Sequence, residues 1–460
     1  MKNASSLYHF RPWAAALVLG CQFLAAGWTA DSSSASGIGE SENAKAPSAT
    51  WPKLPWRNQY IDTLGNVGQY ISLTATQSGT IWASYYAGAS GALKAARYVG
   101  TGGNCGTADS WICETVDSVG DVGRNSSIAS YQNKIAIAYQ DSTNRSLKLA
   151  TRICLGTCFW SKETIEIPES GDYIESNISL RFNSSGTAYI LYFLRDSNPT
   201  LNQIRLAHQV PSGGACIGTS NVDWDCEQVS GGYTTGSHAS LAFDSFATPC
   251  VARVEEMGSS QELWQSCKPE NSWNHFRVET KAQVKSPSLH IQESNSKSRI
   301  AYFGENGRLR FTEYVGYSAA HPANTNCGYD YNAKHNDWNC YDIDIIGSTT
   351  EHVGLAMDVD DTGNAVIAYM DAFSNQVTLR LKAAFFVGSG GNCGFSSAWK
   401  CLTLDSGSQY KSEAYYASVF LDSGGVASIA YTEYDSYNDT HSAKIAAQYF
   451  YKASLPLVKK

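Results

Sequence analysis

The chain has 460 residues, of which 17% are charged and 12% aromatic, with 39 glycines, 27 tyrosines and 12 tryptophans. That balance excludes a helical bundle and fits many short strands joined by tight turns. A net charge of −8 without any Lys/Arg cluster excludes nucleic acid and anionic membrane surfaces as partners.

Residues 1–30 read as an export signal, because Lys2 and Arg11 precede the apolar run Trp13 to Leu19 and small residues follow. The run is too short to span a bilayer as a helix. Two readings of its end stand side by side. Val18-Leu19-Gly20-Cys21 resembles the lipobox of bacterial lipoproteins, which makes Cys21 a lipidation site and gives the chain its one route to a membrane. The apolar stretch Gln22-Phe23-Leu24-Ala25-Ala26 instead favours ordinary cleavage between Ala26 and Ala30. Residues 31–55, rich in Ser, Ala and Gly, read as a flexible tether.

Thirteen cysteines leave twelve once Cys21 is set aside, and these fall into six local pairs: Cys105 and Cys113, Cys154 and Cys158, Cys216 and Cys226, Cys250 and Cys267, Cys327 and Cys340, Cys393 and Cys401. Four pairs end in Trp-x-Cys, at Trp111, Trp224, Trp338 and Trp399. A structural zinc site gathers four ligands, typically from Cys-x-x-Cys knuckles, and no such knuckle exists here. Spacings of three to sixteen intervening residues suit disulfides that close loops in an oxidising compartment.

Aligned on its cysteines, the chain shows a repeat: an inner strand such as Ser240 to Asp244, a Gly turn, a second strand such as Ile137 to Tyr139, a third such as Leu147 to Ala150, the cysteine loop, and a fourth such as Glu114 to Asp117. Four antiparallel strands make one propeller blade. Tyr85, Tyr139, Tyr192, Tyr302, Tyr369 and Tyr431 mark six second strands, and Cys250-Val251-Ala252-Arg253 fills that place in a seventh. The 346 residues from Tyr85 to Tyr431 make six steps of about 58, a propeller-blade length. The last unit lacks a fourth strand. Trp56 to Asp62, followed by Leu64-Gly65, matches the unit-six ending Trp399 to Asp405, so an N-terminal strand is expected to complete the C-terminal blade and remove the free edges. The reading is thus an all-β, seven-bladed propeller over residues 56–452, with a tail at 453–460.

Ile137 to Asp141 and Ile367 to Asp371 share Ile-Ala-Tyr-x-Asp, and each is followed by a Leu-rich strand. The motif resembles the repeats of exported bacterial propellers in the broad sialidase-like and lectin-like group. Sialidases of that kind carry Ser-x-Asp-x-Gly-x-x-Trp boxes, an arginine triad and a Tyr/Glu pair, none of which can be placed in this chain. In such propellers the inner strand starts at the top mouth of the central channel. The resemblance therefore puts the residue two before each inner-strand Ser at the usual ligand position: Tyr70, Asn125, Asn177, His238, Ser286, His352 and Tyr416, all able to hydrogen-bond. The same seven could simply hydrate a channel entrance. Asp141, Asp371 and Asp435, in the loops after second strands, are expected on that face. The run Asp358 to Gly363 reads as a hairpin turn rather than a calcium loop.

No Ser-His-Asp order, paired-carboxylate motif or phosphate loop stands out, so no catalytic residue, metal or cofactor is assigned. Asn125, Asn144, Asn177, Asn183 and Asn438 lie in Asn-x-Ser/Thr sequons. The expected protein is an extracellular or surface-held monomer that binds a carbohydrate or a protein surface. A glycan-active hydrolase or lyase using the channel mouth, and a structural envelope protein, are the alternatives.

Overall fold

A computed structural model of the chain describes residues 55–175, 178–198, 201–231, 238–257, 260–280, 283–292, 294–316, 326–330, 335–346, 354–372, 379–408 and 411–448. Seven antiparallel sheets follow one another along it. Blade 1 comprises Val67–Ala75, Ile81–Ala87, Ala92–Tyr98 and Trp111–Asp117, from the inner strand outwards. Blades 2, 4 and 6 repeat this order, with inner strands Val122–Tyr131, Ala239–Phe243 and Leu355–Val359. Blade 3 has its inner strand in two pieces, Tyr173–Ile174 and Ser179–Phe182, both paired to Ala188–Arg195. Blade 5, from Lys285–Gln292 outwards, carries a fifth strand, Cys327–Asp330, beyond the expected four. In blade 7, Lys411–Leu421, Ala427–Asp435 and Thr440–Ala447 are joined by Arg57–Asp62, which pairs Arg57 with Ala447 and Tyr60 with Lys444. The N-terminal strand closes the ring as its likeness to Trp399–Asp405 required.

Inner strands run from the top of the channel to the bottom, and in blades 3, 4, 6 and 7 the first hairpin turns at the bottom on one short polar side chain. Asn183, Asp244, Asp360 and Asp422 each accept the backbone N–H groups two and four residues on, at 2.8–3.1 Å. The carboxylate of Asp360 is consumed by this turn, which explains the Asp-rich run without a metal. All six disulfides form between the paired cysteines foreseen. They lie at the same bottom end, where third strands pass to fourth strands, and Cys250–Cys267 reaches it by crossing a directly opposed second and third strand pair. Among the described residues, the top face carries none.

Blades are joined in two ways. Near the channel, an inner-strand serine accepts the N–H of the next blade's inner strand: Ser418 from Leu73 (2.9 Å), Ser72 from Ile128 (3.2 Å), Ser127 from Leu180 (3.0 Å), Ser240 from Leu289 (3.1 Å) and Ser288 from Met357 (3.0 Å). Each hydroxyl satisfies a backbone donor that a lone inner edge would leave open.

Deeper in the body, each second-strand tyrosine donates to a carboxylate ending the preceding blade: Tyr85 to Asp62 (2.9 Å), Tyr139 to Asp117 (2.8 Å), Tyr192 to Glu166 (2.8 Å), Tyr302 to Glu279 (2.8 Å), Tyr369 to Asp344 (2.6 Å) and Tyr431 to Asp405 (2.7 Å). Directly opposite each tyrosine on the third strand stands a cation, Lys94, Lys148, Arg205, Arg310, Lys382 or Lys444, ion-paired with the same carboxylate. All six phenols are buried, so each needs its acceptor, and each carboxylate needs its cation. The repeated tyrosine is thus one part of a three-residue clamp spanning two blades.

Candidate site at the channel mouth

The inner strands enclose a cavity of about 1430 Å³ along the central channel. Tyr70, Asn125, His238, Ser286 and Tyr416 all line it, as the positional reading expected; Asn177 and His352 lie outside the described residues.

The backbone at this ring is distorted in a repeated way. Gln69 pairs with Tyr86 and Ser72 with Ser84, so Tyr70 and Ile71 together oppose Tyr85 alone. Asn125 and Ser126 likewise oppose Tyr139, and Ser286 and Pro287 oppose Tyr302. The extra residue of each bulge falls in the left-handed region, with φ of 55° at Tyr70, 54° at Asn125 and 50° at Ser286. Such conformations cost about 1–3 kcal/mol for residues with a Cβ, and they cluster where a side chain must be aimed at a ligand. The clamp tyrosine facing each bulge anchors the neighbouring strand, so the distortion is held in place.

Register changes one assignment. In blade 6, Ala356 pairs with Ala368 and Met357 with Ile367, which puts Ala356 in the serine place and Gly354, not His352, two residues before it. A Cβ on Gly354 would approach Ala417 N to 2.6 Å and Tyr416 C to 2.9 Å. Glycine is required there because the next blade's bulge lies against it. Gly354 itself resembles the small inner-strand residue of other units, and only strand pairing reveals the two-residue offset.

Around the mouth, the rings of Tyr70 and Tyr416 lie 4.7 Å apart at a tilt of 46°, and Tyr70 meets Tyr86 edge-on at 6.2 Å. Burial, then the neighbouring Tyr70, pushes the Tyr416 phenol well above its ordinary pKa, so the phenol stays protonated. Asn125 donates to Gln140 Oε1 at 2.8 Å. Arg124 pairs with Asp121 at 3.0 Å and covers the Tyr86 ring at 5.1 Å. Gln140, Ser142, Glu175, Arg195 and Asn202 extend the lining over blades 2 and 3, with Glu175 and Arg195 paired at 3.0 Å. These last residues come from the top ends of second strands, as Gln140 and Arg195 do, and from the loops beside them, and share no spacing that sequence periodicity could expose. Asp141, Asp371 and Asp435 stand at the same end but build its hairpins: Asp141 accepts from Asn144 N at 2.9 Å, Asp371 pairs with Arg380, and Asp435 accepts from Asn438 N at 3.2 Å. No helix among the described residues is long and apolar enough to cross a membrane.

No protein-family model matches the chain, and no curated protein is similar to it. Among solved structures, a mutant of AofleA from Arthrobotrys oligospora is similar at 11% identity and a TM-score of 0.43, over 77% of this chain and 91% of that one. The intramolecular trans-sialidase of Ruminococcus gnavus shares 11% identity over 84% of this chain and 96% of its own, with a TM-score of 0.36. An endo-arabinase from Bacteroides thetaiotaomicron shares 11% over 71% and 94%, also at 0.36. Likeness this slight carries no functional inference, and the protein is identified by its own strand pairing, as a seven-bladed β-propeller.

Proposed function

We propose that this chain is an exported propeller that binds a carbohydrate at the top mouth of its channel. The observation that carries the reading is the strained ring: Tyr70, Asn125 and Ser286 occupy positive-φ bulges at equivalent points of three blades, all lining one cavity. A sugar presents hydroxyls that donate and accept together with apolar C–H faces. Paired tyrosine rings, the Asn125–Gln140 amides and the internally neutralised Arg124–Asp121 and Arg195–Glu175 pairs match that mixture. A protein partner would favour a flatter contact with an apolar centre, whereas this site is concave and polar.

Six disulfides fit an oxidising compartment and hence export, with the mature chain either free or held by lipid on Cys21. The protein acts as a monomer and needs no cofactor.

The test is a glycan array probed with the full chain and with His238→Ala and Tyr416→Phe variants of unchanged Tm. Loss of one well-placed hydrogen bond weakens binding by about tenfold, so each variant should fall by at least that much. Absence of binding to any glycan overturns the reading. Release of new reducing ends or unsaturated sugars from a bound glycan would instead make the chain a glycan-active enzyme.

A further inference from the structure

Two residues past the serine place, each inner strand offers another side chain to the cavity. Around Arg181 these are Thr74, Ala129, Ala242, His290, Asp358 and Phe420. This level lies four residues below the mouth ring, or three ladder steps once the bulge is counted, ~10 Å at the usual strand rise. It brings together an arginine, a histidine and an aspartate, whose bonding is unequal.

Asp358 has three close partners. Its Oδ1 accepts the N–H of Val359 at 3.0 Å and faces His290 Nδ1 at 3.2 Å, and its Oδ2 accepts the N–H of Leu421 at 2.8 Å. Among the described residues, Arg181 gives a single hydrogen bond, from Nη1 to its neighbour's carbonyl, Leu180 O, at 3.2 Å, and no carboxylate lies within the 4.0 Å of an ion pair. A guanidinium has five N–H donors in a planar fork that matches carboxylate and sulfate oxygens, so four remain to be used. The other arginines lining the cavity, Arg124 and Arg195, are each neutralised by a carboxylate of their own blade or its connecting loop, at 3.0 Å. The side chains on either side of Arg181 at its level, Ala129 and Ala242, are small and leave the guanidinium open to the cavity. In a chain of net charge −8, a cation at this depth that Asp358 reaches only through space, beyond ion-pair distance, is not the fringe of a basic surface.

We infer that the cavity takes an acidic oligosaccharide, whose carboxylate or sulfate pairs with Arg181 inside the channel while its sugar hydroxyls meet the ring of Tyr70, Asn125 and Tyr416 at the mouth. The inference rests on the carbohydrate reading of the mouth and adds to it the charge of the ligand and the depth to which it reaches. The separation of the two levels means that a ligand touching both is longer than one sugar ring. Guanidinium geometry favours a two-pronged contact that Lys cannot reproduce.

The test has two arms, both with the full chain. In the first, neutral, uronate-bearing and sulfated oligosaccharides are compared for binding to wild type, Arg181→Gln and Arg181→Lys. Acidic ligands should bind at least tenfold better than neutral ones of the same length, lose that preference in Arg181→Gln, recover part of it in Arg181→Lys, and weaken with added salt. In the second arm, free glucuronate and inorganic sulfate are titrated against the Tm of wild type and Arg181→Gln, with glucose as the neutral control. A rise confined to wild type and to the anions supports the anion site even where no oligosaccharide binds, in which case only the carbohydrate reading falls. Equal binding of neutral and acidic sugars, unaffected by Arg181→Gln, overturns the anion site and leaves the carbohydrate reading standing. If Arg181→Gln does not fold, the salt dependence of wild type and the Arg181→Lys affinity decide: no salt effect and no change in Lys overturn the inference.

Discussion

Six blade junctions are held by the tyrosine, carboxylate and cation clamp, and the junction between blades 3 and 4 is not. There Ser230 stands opposite Ile204, the register that holds Asp117 opposite Leu93 and Asp344 opposite Leu309. Arg253 takes the tyrosine place and Trp264 pairs with it where a cation stands elsewhere. All three parts have changed together, and the charge has moved. Arg253 binds Glu255 on its own strand, donates to Ser266, and lies 5.6 Å from the Trp264 ring centre, while Ser230 donates to Glu255 at 3.2 Å. The comparison teaches that the clamp is a unit. A buried phenol without its acceptor, or a buried carboxylate without its cation, costs more than the whole arrangement contributes, so a single member cannot drift alone.

The sharpest way to break this picture is to remove the centre of one clamp. Asp117 receives Tyr139 and both Lys148 and Lys162, so Asp117→Asn leaves the phenol with a neutral partner and the buried Lys148 ammonium with only its longer contact to Asp141 at 3.7 Å. The expected loss is about 3 kcal/mol in urea unfolding, against little change for an exposed residue such as Asp109→Asn. A loss under about 1 kcal/mol would show the clamp to be ornamental. Acid should do the same reversibly. Burial alone would push Asp117, Asp344 and Asp405 up, but hydrogen bonds from the clamp lysine and tyrosine outweigh it and hold all three below the ordinary carboxylate range. Their stabilisation is therefore complete above the unfolded value of about 4 and is lost as pH falls through the lower folded values, and Asp117→Asn should flatten that slope.

A smaller effect comes from rebuilding the exceptional junction. Arg253→Tyr alone should cost about 2 kcal/mol, because the new phenol meets Ser230 and Glu255 loses its cation. Ser230→Asp, Arg253→Tyr and Trp264→Lys together should return to within about 1 kcal/mol of wild type. Failure of the triple change to recover would mean that blade 4 differs for reasons beyond these three positions. The smallest effect concerns the mouth. Ser286→Gly relieves a positive φ and should raise stability by up to about 1 kcal/mol while weakening glycan binding, the mark of strain held for recognition. Unchanged stability would mean the bulge is relaxed.

Much of this molecule was legible in advance. Blade number, strand order, ring closure and all six cysteine partners followed from spacing, because a propeller is a quasi-repetitive array whose units must each present the same alternation and the same turns. The mouth positions Tyr70, Asn125, His238, Ser286 and Tyr416 were also found, since they keep a fixed offset from the slot serine. Blade 6 escaped because a two-residue offset leaves no trace in composition: Gly354 reads as the small inner-strand residue until pairing of Ala356 with Ala368 moves it. The fifth strand of blade 5 was hidden inside a cysteine loop.

Sequence by itself determined the repeat, because local alternation, turn residues and paired cysteines are short-range properties written in every unit. Only the tertiary structure decided which groups share a space. The tyrosines had been visible as a periodic mark, but their carboxylates lie on the preceding blade, 22 to 26 residues earlier, and Tyr85 finds Asp62 on the strand that closes the ring. The same holds for Arg181, an unremarkable residue in its own strand. Its meaning comes from closure, which surrounds it with the inner strands of other blades and leaves its charge facing the cavity with no carboxylate of the described residues within ion-pair distance.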